Sequence, residues 1–269
     1  MNDILPGDDS CTRLTIKTSS VYAAGISDKG CVRANNEDSI WIDESGKVLL
    51  LADGMGGHER GADASRLAID TFKQQLSPEM IKFQLNDITA ASGIPSKYAS
   101  LYTIIYRAVS RAAGRVYEKN RELMLERYMG TTIAGLLITD EDRVFWFHIG
   151  DSRVYRLRDS GLDRLTVDHS AYAEWEEAGA LGVAPGKNLI TRAIGNNPDV
   201  EADIEYSEKK SGDIYLLCSD GLNDMLSDEM IKGILENEHD ITEKANRLIN
   251  EALSAGGRDN ISVIVCEII

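Results

Sequence analysis

Apolar and polar positions alternate in short runs over the first third of the chain. Residues 19–30, 38–46 and 47–54 each hold an apolar run that ends in glycine or acidic residues, and such bounded runs predict three β-strands. From about Glu59 to residue 76 the apolar residues recur every three or four positions, which predicts a helix. Residues 77–97, with two prolines and a glycine, predict an irregular connection.

The rest of the chain holds one long helix followed by a block of strands. The spacing of Leu101, Ile105, Ala112 and Val116 predicts an amphipathic helix over about residues 98–125. Further strands are predicted over residues 131–139, 143–150, 152–159, 213–221 and 260–269, and further helices over 227–236 and 241–254. The connections between the first three of these strands are short. The first and the last of the three alternate apolar with polar residues, which favours antiparallel pairing with one face in water.

These elements favour antiparallel sheets covered by helices. Strands follow one another from residue 131 to 165 without a helix between them, whereas a doubly wound parallel sheet requires strand and helix to alternate. No linker or change of composition divides the chain, so we predict one domain over residues 1–269, with an N-terminal extension over about residues 1–18. Residues 168–195 begin as a short helix and continue with glycines and a proline, which predicts a surface flap.

The composition is that of a globular protein with a strong acidic bias. Apolar residues make up 43% of the chain, and 29 Lys and Arg stand against 44 Asp and Glu, a net charge of −15. Such a charge repels nucleic acids and anionic membranes and attracts divalent cations, so we expect neither nucleic-acid nor membrane partners. The four cysteines lack metal or redox spacing and no signal peptide is evident, which predicts free thiols and a cytoplasmic location.

Acidic residues stand at one end of five predicted strands. Asp53, Asp151 and Asp220 follow strands, and Glu37, Asp38 and Asp259 precede them. At any single position a turn or a helix cap explains the acid, because Asp hydrogen-bonds to nearby backbone and the glycine that often follows accepts positive φ. If the acids lie close together, they are consistent with a metal site, because crowded carboxylates repel each other unless cations lie among them. Their oxygen atoms are ligands that suit Mg²⁺ or Mn²⁺. The residues alone leave both interpretations open.

The segments around these acids resemble an ordered set of motifs from one enzyme family. They are VRANNED (32–38), LADGMGGH (51–58), MGTT (129–132), HIGDSRVYRL (148–157), LTVDHS (165–170), ITRAIG (190–195), LLCSDGLND (216–224) and GGRDNISVIV (256–265). In this order they are similar to the motifs of the type-2C metal-dependent protein serine/threonine phosphatases, in their bacterial form. The resemblance covers the chain from about residue 20 to the C-terminus.

The resemblance implies a fold and a metal site. The fold is an α+β sandwich of four layers, α-β-β-α, with two antiparallel sheets face to face and helices on the outside. The site holds two Mn²⁺ or Mg²⁺ ions and, in bacterial relatives, a third and weaker one. The implied roles are that Asp53 bridges the two ions, Gly54 offers its carbonyl to one, Asp220 and Asp259 complete the other, Glu37 and Asp38 hold metal-bound waters, and Asp151 and Asp224 hold the third ion.

The implied reaction is the hydrolysis of phosphoserine and phosphothreonine in proteins. Water activated by two metal ions attacks phosphorus directly, without a covalent intermediate, and Arg33 binds the phosphate through its forked guanidinium. Animal members carry a histidine two residues after the bridging aspartate, where this chain has Met55, which cannot protonate the leaving group. His58 is near in sequence, but we do not assign it as the acid.

Two other functions stay open. A two-metal phosphoesterase of nucleotides or nucleic acids is disfavoured by the net charge, and a catalytically weak member that binds phosphoproteins as a regulatory module would have lost ligand positions, of which none is lost. By resemblance, the expected partners are phosphorylated proteins and an opposing Ser/Thr kinase. Glu174, Glu176 and Glu177 in the flap predict a preference for substrates with basic flanking residues, or they form only a solvated helix face. His148 is predicted to be a packed side chain.

Overall fold

Two antiparallel β-sheets packed face to face form the centre of the fold. The computed structural model describes residues 11–56, 60–92 and 97–269. The strands are β1 (Cys11–Lys17), β2 (Val21–Asp28), β3 (Ser39–Ile42), β4 (Val48–Ala52), β5 (Gly54–Met55), β6 (Gly130–Thr131), β7 (Ile133–Ile138), β8 (Arg143–Ile149), β9 (Arg153–Arg158), β10 (Gly161–Arg164), β11 (Asp203–Glu208), β12 (Ile214–Cys218) and β13 (Ile261–Ile268). One sheet has the order β1-β2-β13-β12-β9-β10, the other has the order β11-β8-β7-β4-β3, and β5 pairs with β6.

Helices cover the outer face of each sheet. They are α1 (Arg60–Gln75), α2 (Pro78–Ser92), α3 (Lys97–Glu122), α4 (Ala171–Glu177), α5 (Asp220–Asn223), α6 (Asp228–Asn237) and α7 (Ile241–Ser254). Apolar side chains of α1 and α3 pack on the five-stranded sheet, and those of α6 and α7 pack on the six-stranded sheet. The order of layers is therefore helix, sheet, sheet, helix, and the expected α+β sandwich is confirmed.

Strand β4 shows why the apolar runs are continuous. Leu49 and Leu51 face the core between the sheets, whereas Val48 and Leu50 face the helices α1 and α3. A strand with apolar contacts on both faces has no place for alternating polar residues. The expectation of one wet face is wrong for β7 for the same reason, because all six of its residues are buried.

Residues 78–92 form helix α2, so the predicted irregular connection over 77–97 is wrong for most of its length. Ser77 caps the helix by accepting a hydrogen bond from the Met80 backbone N–H, and Pro78 occupies the first turn, where a missing N–H has no cost. Ile81 and Leu85 pack against the core under α1 and α3. Residues 93–96 lie outside the described part of the chain.

Part of the predicted N-terminal extension over about residues 1–18 is a strand of the fold. Its residues Cys11–Lys17 form β1, which pairs with β2 at the edge of the six-stranded sheet, where Leu14 and Ile16 reach the core between the sheets. Residues 1–10 lie outside the described part of the chain. Two further edge strands, β10 and β11, were absent from the expectation. No helix among the described residues combines the length and apolar character needed to cross a bilayer.

Candidate metal centre

The acids of the five-stranded sheet lie at one end of that sheet. Ser39 at the start of β3 pairs with Ala52 at the end of β4, so Glu37 and Asp38 lie beside Asp53. Ile133 at the start of β7 pairs with Ile149 at the end of β8. Because β7 also pairs with β4, Asp151 follows β8 at the same end.

The acids of the six-stranded sheet lie at the matching end. Cys218, the last residue of β12, pairs with Val263 near the start of β13, so Asp220 and Asp259 are neighbours. Asp38 joins the two sheets, because its Oδ2 accepts hydrogen bonds from Ser219 Oγ at 2.9 Å and from Ser262 Oγ at 2.6 Å. All of the predicted acids therefore come from one end of the sandwich.

Two adjoining cavities open at this end of the sandwich. The larger, of about 810 Å³, is lined by seven of the predicted site residues: Arg33, Glu37, Asp53, Gly54, Asp220, Asp224 and Asp259. The smaller, of about 270 Å³, is lined by Asp151 and again by Asp220 and Asp224. Asp38 lines neither cavity and is held by its two serine partners. The two cavities share Asp220 and Asp224 in their linings.

Asp53 is fixed by the strand that follows the long helix. Its backbone N–H donates to Thr132 Oγ1 at 3.0 Å, and its carbonyl accepts from Thr131 Oγ1 at 2.8 Å and from the Thr132 N–H at 2.9 Å. Both threonines are buried. The backbone of Asp53 thus has its hydrogen bonds satisfied inside the fold, and its carboxylate faces the larger cavity.

Gly54 is required by close packing. A Cβ at this position would lie 2.2 Å from the Gly61 carbonyl oxygen and 2.5 Å from that of Glu37. No side chain fits such an approach, because atoms in these positions overlap. The glycine brings the start of α1 and the Glu37 backbone against Asp53, so the Asp-Gly pair serves more than a turn.

The buried carboxylates fit a divalent cation. Asp38 Oδ1, Asp151 Oδ1 and Asp220 Oδ1 are each buried without a hydrogen-bond partner among the described residues. A charged oxygen that is buried without a partner is strongly destabilising, and native structures pair such groups or give them to metals. Oxygen-only donors of this kind suit Mg²⁺ and Mn²⁺.

The electrostatics of the acids point the same way. Burial, followed by the charges of Asp151 and Asp259, raises the pKa of Asp220 to about 8. Burial also raises the pKa of Asp38 and of Asp151 to about 6, and holds that of Asp53 well above its usual range, with further contributions from Asp38 and Asp220. Each shift measures the cost of a negative charge in the cluster, which a bound cation removes.

Arg33 lines the larger cavity beside these acids. One of its guanidinium nitrogens donates to Asp259 Oδ2 at 2.5 Å, and this bond is the main cause of its raised pKa. The side chain keeps 53% of its accessible surface. A guanidinium has five N–H donors, so most of them stay available to a phosphate in the cavity.

Replacement of Arg33 by lysine is expected to lower kcat/KM for a phosphothreonine peptide by about 10- to 100-fold, because one charged hydrogen bond is lost and the forked geometry with it. Steady-state kinetics measures the change. Arg66→Lys, on the exposed face of α1, is the control with the same chemistry. An unchanged kcat/KM in Arg33→Lys would show that this residue does not bind the phosphate.

Sequence reasoning missed the residues that hold these acids in place. The Asn260 side chain accepts a hydrogen bond from the Glu37 backbone N–H at 2.8 Å and donates to the Lys29 and Asn35 carbonyls at 2.9 Å. It thereby fixes the loop that carries Arg33. Ser219 and Ser262 orient Asp38. Asn260 and Ser219 each adjoin a predicted acid in the chain, which is the signal that could have found them.

A second group with metal-ligand chemistry lies beside Gly150. His148, His169 and Asp203 bring one ligand atom each to within 4.8 Å of one another. The Gly150 N–H donates to His169 Nδ1 at 3.1 Å, so the neutral ring carries its proton on Nε2, which lies 3.3 Å from Asp203 Oδ2. Burial lowers the pKa of His169 to about 4 and keeps the ring neutral. An N–H thus occupies the position where a metal needs a lone pair, and the group joins the flap to β8 and β11.

Comparison with known proteins decides the family. The family model described as protein phosphatase 2C matches residues 32–255. The chain belongs to the protein phosphatase 2C family. The expected resemblance is thereby confirmed, and the fold with it.

Two curated relatives illustrate the protein phosphatase 2C match. The serine/threonine protein phosphatase PstP of Mycobacterium tuberculosis is 37% identical over 253 residues, which are 92% of this chain but 45% of PstP, so the chain spans about half the length of that relative. The protein phosphatase PhpP of Streptococcus pneumoniae is 31% identical over 246 residues, which are 88% of this chain and 94% of PhpP.

Solved structures of the protein phosphatase 2C family share the fold. The catalytic domain of PstP, crystallised in complex with two manganese ions, aligns with a TM-score of 0.75 at 36% identity, over 93% of this chain and 99% of that one. A serine/threonine phosphatase of S. agalactiae aligns with a TM-score of 0.79 at 29% identity, over 93% of this chain and all of the other.

Proposed function

We propose that this chain is a metal-dependent protein serine/threonine phosphatase whose residues act as one phosphatase domain. The observation that carries the proposal is the convergence of seven acids at one end of the sandwich, beside Arg33. Three of these acids have a buried oxygen without a hydrogen-bond partner among the described residues. The proposal is supported by the similarity to PstP, a serine/threonine protein phosphatase, and to PhpP, a protein phosphatase.

The residues divide the work between holding cations and binding phosphate. We assign Asp53, Gly54, Asp220 and Asp259 to two Mn²⁺ or Mg²⁺ ions, Glu37 and Asp38 to the water around them, and Asp151 and Asp224 to a weaker third position. Two such ions, when bound, supply the Lewis acidity that activates water and neutralises charge at phosphorus. Arg33 binds the phosphate oxygens and orients the ester.

The lining of the larger cavity suits direct hydrolysis. None of its described lining residues is a cysteine, serine or histidine, and the aspartates, which could also attack phosphorus, are assigned in this proposal to the cations. Met55 lines the cavity at the position where animal members carry a histidine, and it offers no proton. We therefore expect solvent to protonate the leaving alkoxide.

The biological setting belongs to the same proposal. The substrates are phosphorylated proteins, and a Ser/Thr kinase that acts on the same targets is the expected counterpart in bacterial signalling. The four cysteines are free thiols, which suits the reducing cytoplasm.

Hydrolysis of a phosphothreonine peptide tests the proposal. Phosphate release is measured with Mn²⁺, with Mg²⁺ and with chelator, on the wild type and on Asp259→Ala. We expect metal-dependent release by the wild type and loss of most of it in the variant. Release that survives the chelator would refute the metal mechanism, and phosphopeptide binding without release would favour the regulatory-module alternative.

A further inference from the structure

Three cations stand at the rim of the cavity that holds the predicted acids. Arg127 comes from the loop between α3 and β6, Lys187 from the flap, and Arg258 from the turn before β13, and all three line the larger cavity. They are far apart in the chain, so only the fold brings them together. Each side chain is exposed.

The rim cations are not neutralised by acidic side chains of the described residues. Within residues 11–56, 60–92 and 97–269, no acidic side chain makes an ion pair with Arg127, Lys187 or Arg258. Lys187 lies over the ring of Tyr172, 5.2 Å from its centroid, which holds it at the edge of the cavity. In a chain with 44 acidic residues, three converging cations without a carboxylate partner mark a surface that faces an external anion.

The flap glutamates are placed differently. Glu176 lines the smaller cavity, and neither Glu174 nor Glu177 lines either of the two cavities. None of the three glutamates lines the larger cavity, although Glu176 lines the adjoining one together with Lys187. The rim cations line the larger cavity, so they replace the glutamates as the basis for a preference, with the opposite sign.

Resting on the proposed function, we propose that Arg127, Lys187 and Arg258 select phosphoprotein segments with acidic residues beside the phosphorylated serine or threonine. The phosphate reaches the acids at the floor of the cavity, while the flanking residues meet the rim. Successive residues of an extended peptide are about 3.3 Å apart, so flanking carboxylates on either side come within the range of these charges. Complementary charge of this kind raises the rate of encounter and selects among partners.

The test compares three phosphothreonine peptides that differ only in acidic, neutral or basic flanking residues. The readout is the ratio of kcat/KM for the acidic peptide to that for the basic peptide, in the wild type and in the triple variant Arg127→Gln, Lys187→Gln, Arg258→Gln. We expect each cation to raise this ratio about twofold, which gives a ratio of roughly ten in the wild type. The ratio should fall toward one in the triple variant and on addition of salt. A wild-type ratio at or below one would overturn the inference.

The matched control removes two other exposed cations and one half-buried cation, in the variant Lys119→Gln, Lys232→Gln, Arg247→Gln, and none of the three lines either cavity. Its net charge changes by the same amount, so we expect it to keep the wild-type ratio. An equal fall of the ratio in both variants would overturn the inference in favour of a general charge effect. Metal-dependent hydrolysis of p-nitrophenyl phosphate by the wild type distinguishes failure of the peptide preference from failure of the proposed function. Hydrolysis without a preference among the peptides refutes the inference alone. If no substrate is hydrolysed, the proposed function is refuted as well.

Discussion

Replacement of Asp53 by asparagine is expected to lower the turnover of phosphopeptides by at least about 10³-fold. Asp53 lines the larger cavity with Asp220 and Asp259, and burial, followed by the charges of neighbouring acids, holds its pKa well above the usual range. Asparagine keeps the shape and removes the charge, so the cluster loses the carboxylate that we propose as a ligand of both cations. Metal-ion catalysis contributes several kcal/mol of stabilisation in the transition state, and each 1.36 kcal/mol is a factor of about ten.

The same substitution separates loss of function from loss of fold. Without metal, Asp53→Asn is expected to melt at a higher temperature than the wild type, because one of several crowded negative charges is gone. With added Mn²⁺, the variant is expected to show little of the rise in melting temperature that the wild type shows. Asp70→Asn, on the exposed face of α1, is the control and should behave as the wild type in both measurements. A variant with normal turnover, or one that melts below the wild type without metal, would contradict the assignment.

The sequence predicts the interior of this fold better than its edges. Central strands such as β4 and β12 are continuous apolar runs because both of their faces are buried, so they are easily recognised in the sequence. Strands β10 and β11 lie at sheet edges and carry charged residues such as Asp163 and Glu205, which mimic loops. The turn into β10 uses Asp159 and Ser160 at φ of +49° and +60°, where Gly or Asn would be the usual sign.

The candidate site residues can be predicted from the sequence, but their positions relative to one another in the fold cannot. The predicted acids adjoin apolar runs, so their positions at strand ends follow from the pattern, while their convergence depends on which strands pair. Asp38 and Ser262 illustrate the limit, because a 2.6 Å hydrogen bond joins residues 224 positions apart. Arg127 and Lys187 carry no local signal at all, since an exposed cation in a loop is an ordinary feature and only the cavity gives it a role.

Divalent cations are expected to stabilise this protein more at pH 8 than at pH 5.5. The pKa values of Asp38 and Asp151 are raised to about 6 and that of Asp220 to about 8, mainly by burial. Between the unfolded pKa near 4 and these values, the folded state binds more protons than the unfolded state. The free energy of unfolding of the metal-free protein therefore falls as the pH rises through this window. Bound cations replace those protons, so their effect grows as the protons leave.

Thermal unfolding at pH 5.5 and at pH 8, each with chelator or with saturating Mg²⁺, measures this difference. Because the pKa of Asp220 is raised to about 8, its carboxyl group in the folded metal-free protein stays largely protonated over about two pH units above pH 5.5. We therefore expect the rise in melting temperature on adding Mg²⁺ to be larger at pH 8 by on the order of 5 °C. Asp220→Asn removes the most strongly shifted carboxyl group and should flatten the pH dependence of the metal-free protein. Asp163→Asn, on the exposed edge strand β10, should leave it unchanged. If the metal-free protein instead becomes more stable toward pH 8, the crowded acids do not carry the charge strain that the cations are assigned to relieve.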